Sequence, residues 1–131
     1  MEILSGIFRL EYLENHGAAF GILQGQRIIV LIFTIIIFLT LASLYYKIPT
    51  SSRYLPMQTV LVLLLSGAIG NMIDRMIRRY VVDFLYFSLI DFPIFNVADC
   101  YVVLGVILTI LLLLFYYREE DFHFLEKHSA E

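Results

Sequence analysis

Three uncharged apolar stretches alternate with short polar ones along the chain. Residues 28–46 (IIVLIFTIIIFLTLASLYY), 54–73 (YLPMQTVLVLLLSGAIGNMI) and 97–117, whose charge-free part starts at Cys100, approach the length of a membrane span. A helix rising about 1.5 Å per residue needs roughly 20 apolar residues to cross a hydrocarbon core of ~30 Å. The first span is bracketed by Arg27 and Lys47, with Tyr45 and Tyr46 placed like an interfacial belt. Pro49, Thr50, Ser51 and Ser52 are turn formers, so spans one and two should make an antiparallel hairpin. The third closes on Tyr116-Tyr117, and a polar tail, 118–131, returns the chain to water.

Between the spans the period changes. Phe8-Arg9-Leu10-Glu11-Tyr12 alternates apolar and charged residues, which predicts a short surface strand or hairpin broken by Asn15-His16-Gly17. Tyr80–Phe87 is aromatic and β-branched around a lone Asp83, favouring an extended or interfacial segment. Pro93 blocks an upstream helix, and Asn96 followed by Asp99 has the spacing of a capping box that opens the third span. No repeat or linker divides the chain, so residues 1–131 read as one domain. Met1-Glu2 followed by Arg9, Glu11 and Glu14 lacks the basic and apolar regions of a secretory signal.

Composition narrows the function. With 60% hydrophobic and 16% charged residues, a 131-residue chain has too little polar surface for a soluble globule. The formal net charge of -3, with no basic cluster longer than Arg78-Arg79, excludes an electrostatic nucleic-acid footprint. Cys100 is the single cysteine and His16, His123 and His128 are scattered, so neither an internal disulfide nor a metal site is expected. Three spans place residues 1–27 and 74–96 on one side of the membrane, and 47–53 with the tail on the other. Five basic residues against four leave the orientation open to charge.

Acids bordering a bilayer need a reason, since an Asp at a helix centre costs roughly 2.5–3.5 kcal/mol on insertion. Asp99 could simply cap its helix, and Asp74 could anchor the second span through Arg78 at i,i+4 or through Arg75. Asp83 and Asp99 share one side of the membrane and could converge. Two close carboxyls divide one proton, so that one takes a proton from water while the other protonates a carbonyl, giving peptide hydrolysis without a metal. They could equally hold a cation or face separate water pockets. The rival class is a small non-enzymatic membrane transporter or proton-pathway subunit using Asp74, Asp83 and Asp99. Such a site should lie near the bilayer midplane, whereas these acids lie at span ends.

Four motifs decide among these. Asn15-His16-Gly17-Ala18-Ala19-Phe20-Gly21, Gly70-Asn71-Met72-Ile73-Asp74-Arg75, Val81-Val82-Asp83-Phe84 and Phe92-Pro93-Ile94-Phe95-Asn96-Val97-Ala98-Asp99 closely resemble, in order and spacing, bacterial lipoprotein signal peptidase (signal peptidase II). The resemblance implies a mainly α integral-membrane bundle, four-helical in the family and three-helical here. Residues 1–27 would form a small extracytoplasmic β-cradle and the start of the next helix. It implies an aspartic endopeptidase that removes signal peptides from prolipoproteins before the diacylglyceryl cysteine. The catalytic pair would be Asp83 and Asp99. Asn15, Asn71, Asn96 and Arg75 would orient substrate and dyad, and Asp74 would be structural. No cofactor is implied. The implied partners are lipid-modified prolipoproteins and membrane lipids, for a monomer in the bacterial cytoplasmic (inner) membrane with its site at the outer face. A catalytically dead relative is disfavoured because both dyad positions are Asp. Three departures stand out. The family's first helix has no counterpart, so an upstream segment is expected to be missing and this chain alone to be unstable or poorly active. Arg79 stands where Gly is common. Cys100 replaces a common Ser and is expected only to pack.

Overall fold

The computed structural model describes residues 1–18 and 21–127. Ala19 and Phe20 of the first motif, and His128 with the rest of the tail end, lie outside the described residues. In chain order the elements are β1 (Glu2–Leu4), β2 (Phe8–Asn15), α1 (Arg27–Lys47), α2 (Leu55–Ile77), β3 (Val81–Phe87), α3 (Val97–Phe115) and α4 (His123–Lys127). Short 3-10 turns cover Ser52–Tyr54, Ser88–Ile90 and Glu119–Phe122.

The three long helices run alternately up and down. α2 packs against both neighbours, and each of the three is long and apolar enough to cross a membrane. Val30 is the one buried residue of α1, so nearly all of its surface is apolar and outward-facing, which suits lipid. Glycines let α2 and α3 approach. A Cβ on Gly67 would lie 2.6 Å from the Ala98 carbonyl oxygen, and one on Gly105 2.6 Å from a Leu64 methyl. Without a hydrophobic drive between helices in lipid, such small-residue contacts carry the association. α2 also continues four residues past the expected end at Ile73, because Asp74 and Arg75 find partners at the polar end described below.

At that end the strands form one antiparallel sheet, ordered β1-β2-β3. The strand expected from the alternation over Phe8–Tyr12 extends to Asn15, with an irregularity between Leu10 and Leu13, and β2 pairs with β3 so that Leu13 faces Asp83 and Asn15 faces Val81. Asn15 and Asp83 are therefore diagonal neighbours on one face of the sheet. The segment from β3 to α3 folds back on itself. Asp91 takes the left-handed conformation (φ 47), the Phe92 amide donates to the Phe87 carbonyl at 3.1 Å, and Phe95 pairs with Leu85. That return lays Asn96 beside β3.

The tail is not simply polar, as the sequence suggested. Arg53 donates to both carboxyl oxygens of Asp121 (3.1 and 2.7 Å) and lies 4.2 Å over the Tyr116 ring. The Tyr54 hydroxyl donates to the Asp121 carbonyl at 2.8 Å, while Phe124 meets the Tyr54 ring edge-on. α2 has no side-chain cap of its own. The buried Tyr117 hydroxyl serves instead, accepting from the Met57 amide at 3.2 Å and donating to the Arg53 carbonyl at 3.1 Å. Tyr116 and Tyr117, expected inside the third span, sit just beyond α3 and close this strap.

Two outcomes are expected. Gly67→Ala should lower the melting temperature, with a cost of roughly 1–3 kcal/mol from overpacking against backbone. Gly70→Ala, whose Cβ would meet only the Ala98 methyl at 3.1 Å, should be close to neutral. Thermal unfolding in detergent compares them. The Arg53 guanidinium and the Arg118 amide hold the Asp121 carboxyl down to about 2. A depressed folded value means the contribution is complete above the unfolded value of ~3.9. It is then lost as pH falls through about 2. Asp121→Asn should therefore lower the melting temperature at neutral pH and lose that difference in strong acid.

Candidate active site

Asn15, Asn71, Arg75, Asp83, Asn96 and Asp99 come from β2, α2, β3 and the start of α3, and the structure gathers all six at the sheet end of the helices. Asp83 is 2% exposed and Asp99 9%, so both carboxyls have left bulk water. Buried carboxylates need donors, and three asparagines supply them. Asp83 accepts from Asn15 Nδ2 at 2.9 Å and from Asn96 Nδ2 at 2.7 Å, one on each oxygen. Asp99 accepts from Asn71 Nδ2 at 2.9 Å and from the Asn96 backbone amide at 3.1 Å, again one on each oxygen.

Asn96 touches both acids. Its Oδ1 accepts from the Asp99 amide at 3.1 Å while Asp99 returns a bond to its backbone N–H, so the capping box expected from the spacing is present. Its Nδ2 donates to Asp83 and to Asn71 Oδ1 (3.0 Å). The two acids meet through Asn96 rather than by direct contact. Among the described residues no hydrogen bond joins them, because the Asn96 amide stands between. Burial, first, and the like charge of Asp99 push the Asp83 carboxyl up, against the pull of the Asn15 and Asn96 amides and of Arg75.

Arg75 is buried and donates to the Gly17 carbonyl (2.9 Å) and to its own helix at the Asn71 carbonyl (3.3 Å). It is therefore not the partner of Asp74 that the sequence allowed. Asp74 pairs with Arg78 at 3.8 Å and accepts from the Val82 amide at 3.3 Å, tying the end of α2 to β3 one residue before Asp83. Arg79, where the sequence left the turn open, takes φ 72, a conformation that suits glycine better. Cys100 is exposed beside Asp99.

Sequence reasoning missed Gln24, which donates to Asn15 Oδ1 at 3.2 Å, and the Ala18 carbonyl, which accepts from Asn15 Nδ2 at 3.0 Å. Neither has a spacing signal. Two apolar-walled clefts reach Asp99. One of ≈ 390 Å³ runs past Asn71 and Arg75 between α1 and α3. The other, ≈ 310 Å³, is walled by Phe92, Phe95, Val103 and Leu104. No group of His, Cys, Asp and Glu able to hold a metal occurs among the described residues.

Comparison with known proteins agrees with this geometry. The family model for signal peptidase (SPase) II, peptidase family A8, matches residues 1–115. The chain belongs to the signal peptidase II family. It is 43% identical over 121 residues to the lipoprotein signal peptidase of Streptococcus thermophilus, covering 92% of this chain and 76% of that protein. It is 40% identical over 119 residues to that of Streptococcus pyogenes, covering 91% and 75%. A solved bacterial membrane enzyme superposes with a TM-score of 0.78 at 41% identity, over 87% of this chain and 70% of that one. A second gives 0.74 at 40% identity, over 89% and 76%. The protein is thus a multi-pass membrane protease of the aspartic type, and it removes signal peptides from prolipoproteins.

Asn96 can be dissected. Asn96→Ser keeps a good cap and loses the donor to Asp83, so prolipoprotein cleavage should fall by about 10²-fold or more with a small change in melting temperature. Asn96→Ala should lose the cap as well, at ~1 kcal/mol in addition.

Proposed function

We propose that Asp83 and Asp99 are the catalytic pair of this peptidase, and that residues 1–127 work as one unit around them. The observation that carries the reading is the pairing of two buried carboxyls through one residue, Asn96, with Asp99 lining two apolar clefts. Burial pushes the Asp83 carboxyl up, which supports giving it the part of the acid. Asp99 is then the base. It takes a proton from a water whose oxygen attacks the scissile carbonyl carbon, while Asp83 gives its proton to the carbonyl oxygen. The tetrahedral intermediate then collapses. Its C–N bond breaks, the amide nitrogen leaves with a proton from the dyad, and the new carboxyl forms. The sum is one amide and one water in, one acid and one amine out.

Asn71 and Asn96 hold Asp99, and Asn15 and Asn96 hold Asp83. Amide groups that both donate and accept also suit an extended substrate backbone that has no water to pair with. Arg75 orients the Gly17 turn and adds a positive charge to the site, and Asp74 anchors β3. The preferred bond is the one before a diacylglyceryl cysteine. Its acyl chains gain ~0.8 kcal/mol per CH₂ by staying in lipid, so the scissile amide must be met at the bilayer boundary. Asp99 starts α3, Asp83 lies in the sheet beside it, and the clefts at Asp99 have apolar walls, which supports this approach. The sheet end then faces outward from the cytoplasmic membrane, and one chain supplies the whole site, as suits a monomer.

Asp83→Asn and Asp99→Asn should each abolish cleavage of a diacylglyceryl-modified substrate while leaving membrane insertion intact, with some loss of melting temperature because the new NH₂ faces a donor. Near-normal turnover by either variant removes the mechanism. Turnover should be bell-shaped in pH. Because Asp83 is raised, its loss of a proton sets the alkaline limb, displaced above the ordinary carboxylate range.

A further inference from the structure

We infer that Gln24, in the segment joining the cradle to α1, is a positioning residue that fixes which way the Asn15 amide faces, and hence which of its atoms Asp83 meets. The inference rests on the reading of Asp83 as a member of the dyad. An asparagine side chain offers one oxygen with two lone pairs and one nitrogen with two hydrogens. In Asn15 all are engaged. Oδ1 accepts from the Gly17 amide at 2.9 Å and from Gln24 Nε2 at 3.2 Å. Nδ2 donates to the Ala18 carbonyl at 3.0 Å and to Asp83 Oδ2 at 2.9 Å. Turned over, the amide would set its oxygen against two acceptors, which Asp83 tolerates only when it carries a proton. The orientation of Asn15 and the protonation of Asp83 are therefore linked.

Of the two donors that hold Asn15 Oδ1, one belongs to the backbone and only Gln24 is a side chain. A Cβ on Gly21, at φ +74, would lie 3.0 Å from Gln24 Nε2, so this glycine leaves room for the Gln24 side chain. The catalytic acid is reached through a segment leading into a membrane helix, three residues before Arg27. The charged groups around Asp83 are Arg75 of α2 and Asp99 of α3, which act on it directly. Asp74 is bonded to the Val82 amide, Glu14 lies opposite Val82 on β2, and His16 follows Asn15 and approaches Glu14. None of them donates to Asn15 Oδ1, so the orienting contact belongs to Gln24 and the Gly17 amide.

The test is the pH profile of prolipoprotein cleavage by the full chain in detergent or vesicles, with melting temperatures alongside. Gln24→Glu sets a carboxylate against Asn15 Oδ1 and favours the turned-over amide. Its alkaline limb should move up by about half a unit to one unit. Gln24→Met, which keeps length and loses the donor, should move the limb the same way by less, and lower kcat several-fold with KM unchanged. A limb that stays at the wild-type position in both variants overturns the inference, whatever the melting temperatures do. So does a change confined to KM, which would make Gln24 a substrate contact. Turnover retained by Asp83→Asn would instead remove the dyad reading itself, so the two failures are separable.

Discussion

Everything at the polar end of the bundle depends on Asn96 satisfying two buried acids at once. Its backbone amide and Oδ1 close the capping box with Asp99, and its Nδ2 reaches Asp83 on a different element. An unpaired buried carboxylate would cost several kcal/mol or surrender its charge. The capping box also starts α3, so the residue that begins a helix is the one that joins the two acids. Helix initiation and the placement of both carboxyls are thereby coupled at one side chain.

The rest of the fold serves that junction. Close packing of α2 and α3 at Gly67 and Gly105 brings Asn71 to Asp99, and the pairing of β2 with β3 brings Asn15 to Asp83. Arg75 buries its charge within reach of Asp83 and spends its hydrogen bonds on the carbonyls of Gly17 and Asn71, stiffening the turn that carries Asn15. At the opposite end the Arg53–Asp121 strap, with Tyr117 capping α2, fixes the far ends of α2 and α3. Both ends of the α2–α3 pair are therefore pinned, which holds their shared face, and with it the distance from Asn71 to Asp99.

Local features were legible in the sequence. Apolar length marked the three spans, period-two alternation marked β2, and the Asn96–Asp99 spacing marked the capping box, because each is written within a few residues. The motifs, through the family resemblance, pointed to the six side chains that meet here. What could not be read was which elements pair across distance. β3 was expected as an extended stretch, but neither its register against β2, which sets Asn15 beside Asp83, nor the fold-back at Asp91 and Phe95, which lays Asn96 beside it, is written locally. The aromatic content of the tail was masked by its charges, though Phe122 and Phe124 pack on Tyr117 and Tyr54. The partner of Arg75 was misjudged because a backbone carbonyl leaves no trace in a list of charged residues. Gln24 escaped for the same reason: its partner is an amide nine positions earlier across a glycine turn.

The central claim is that Asp83 and Asp99 share a single proton over the working pH range, arranged by Asn96. Infrared difference spectroscopy of their carboxyl groups across pH, with Asp83→Asn and Asp99→Asn used to assign the bands, measures this directly. One protonated and one ionised carboxyl throughout the range of turnover, with the proton lost from the Asp83 band at the alkaline limb, is the predicted result. Two carboxyls that titrate together at the ordinary carboxylate value, leaving both ionised where the enzyme is active, would contradict it.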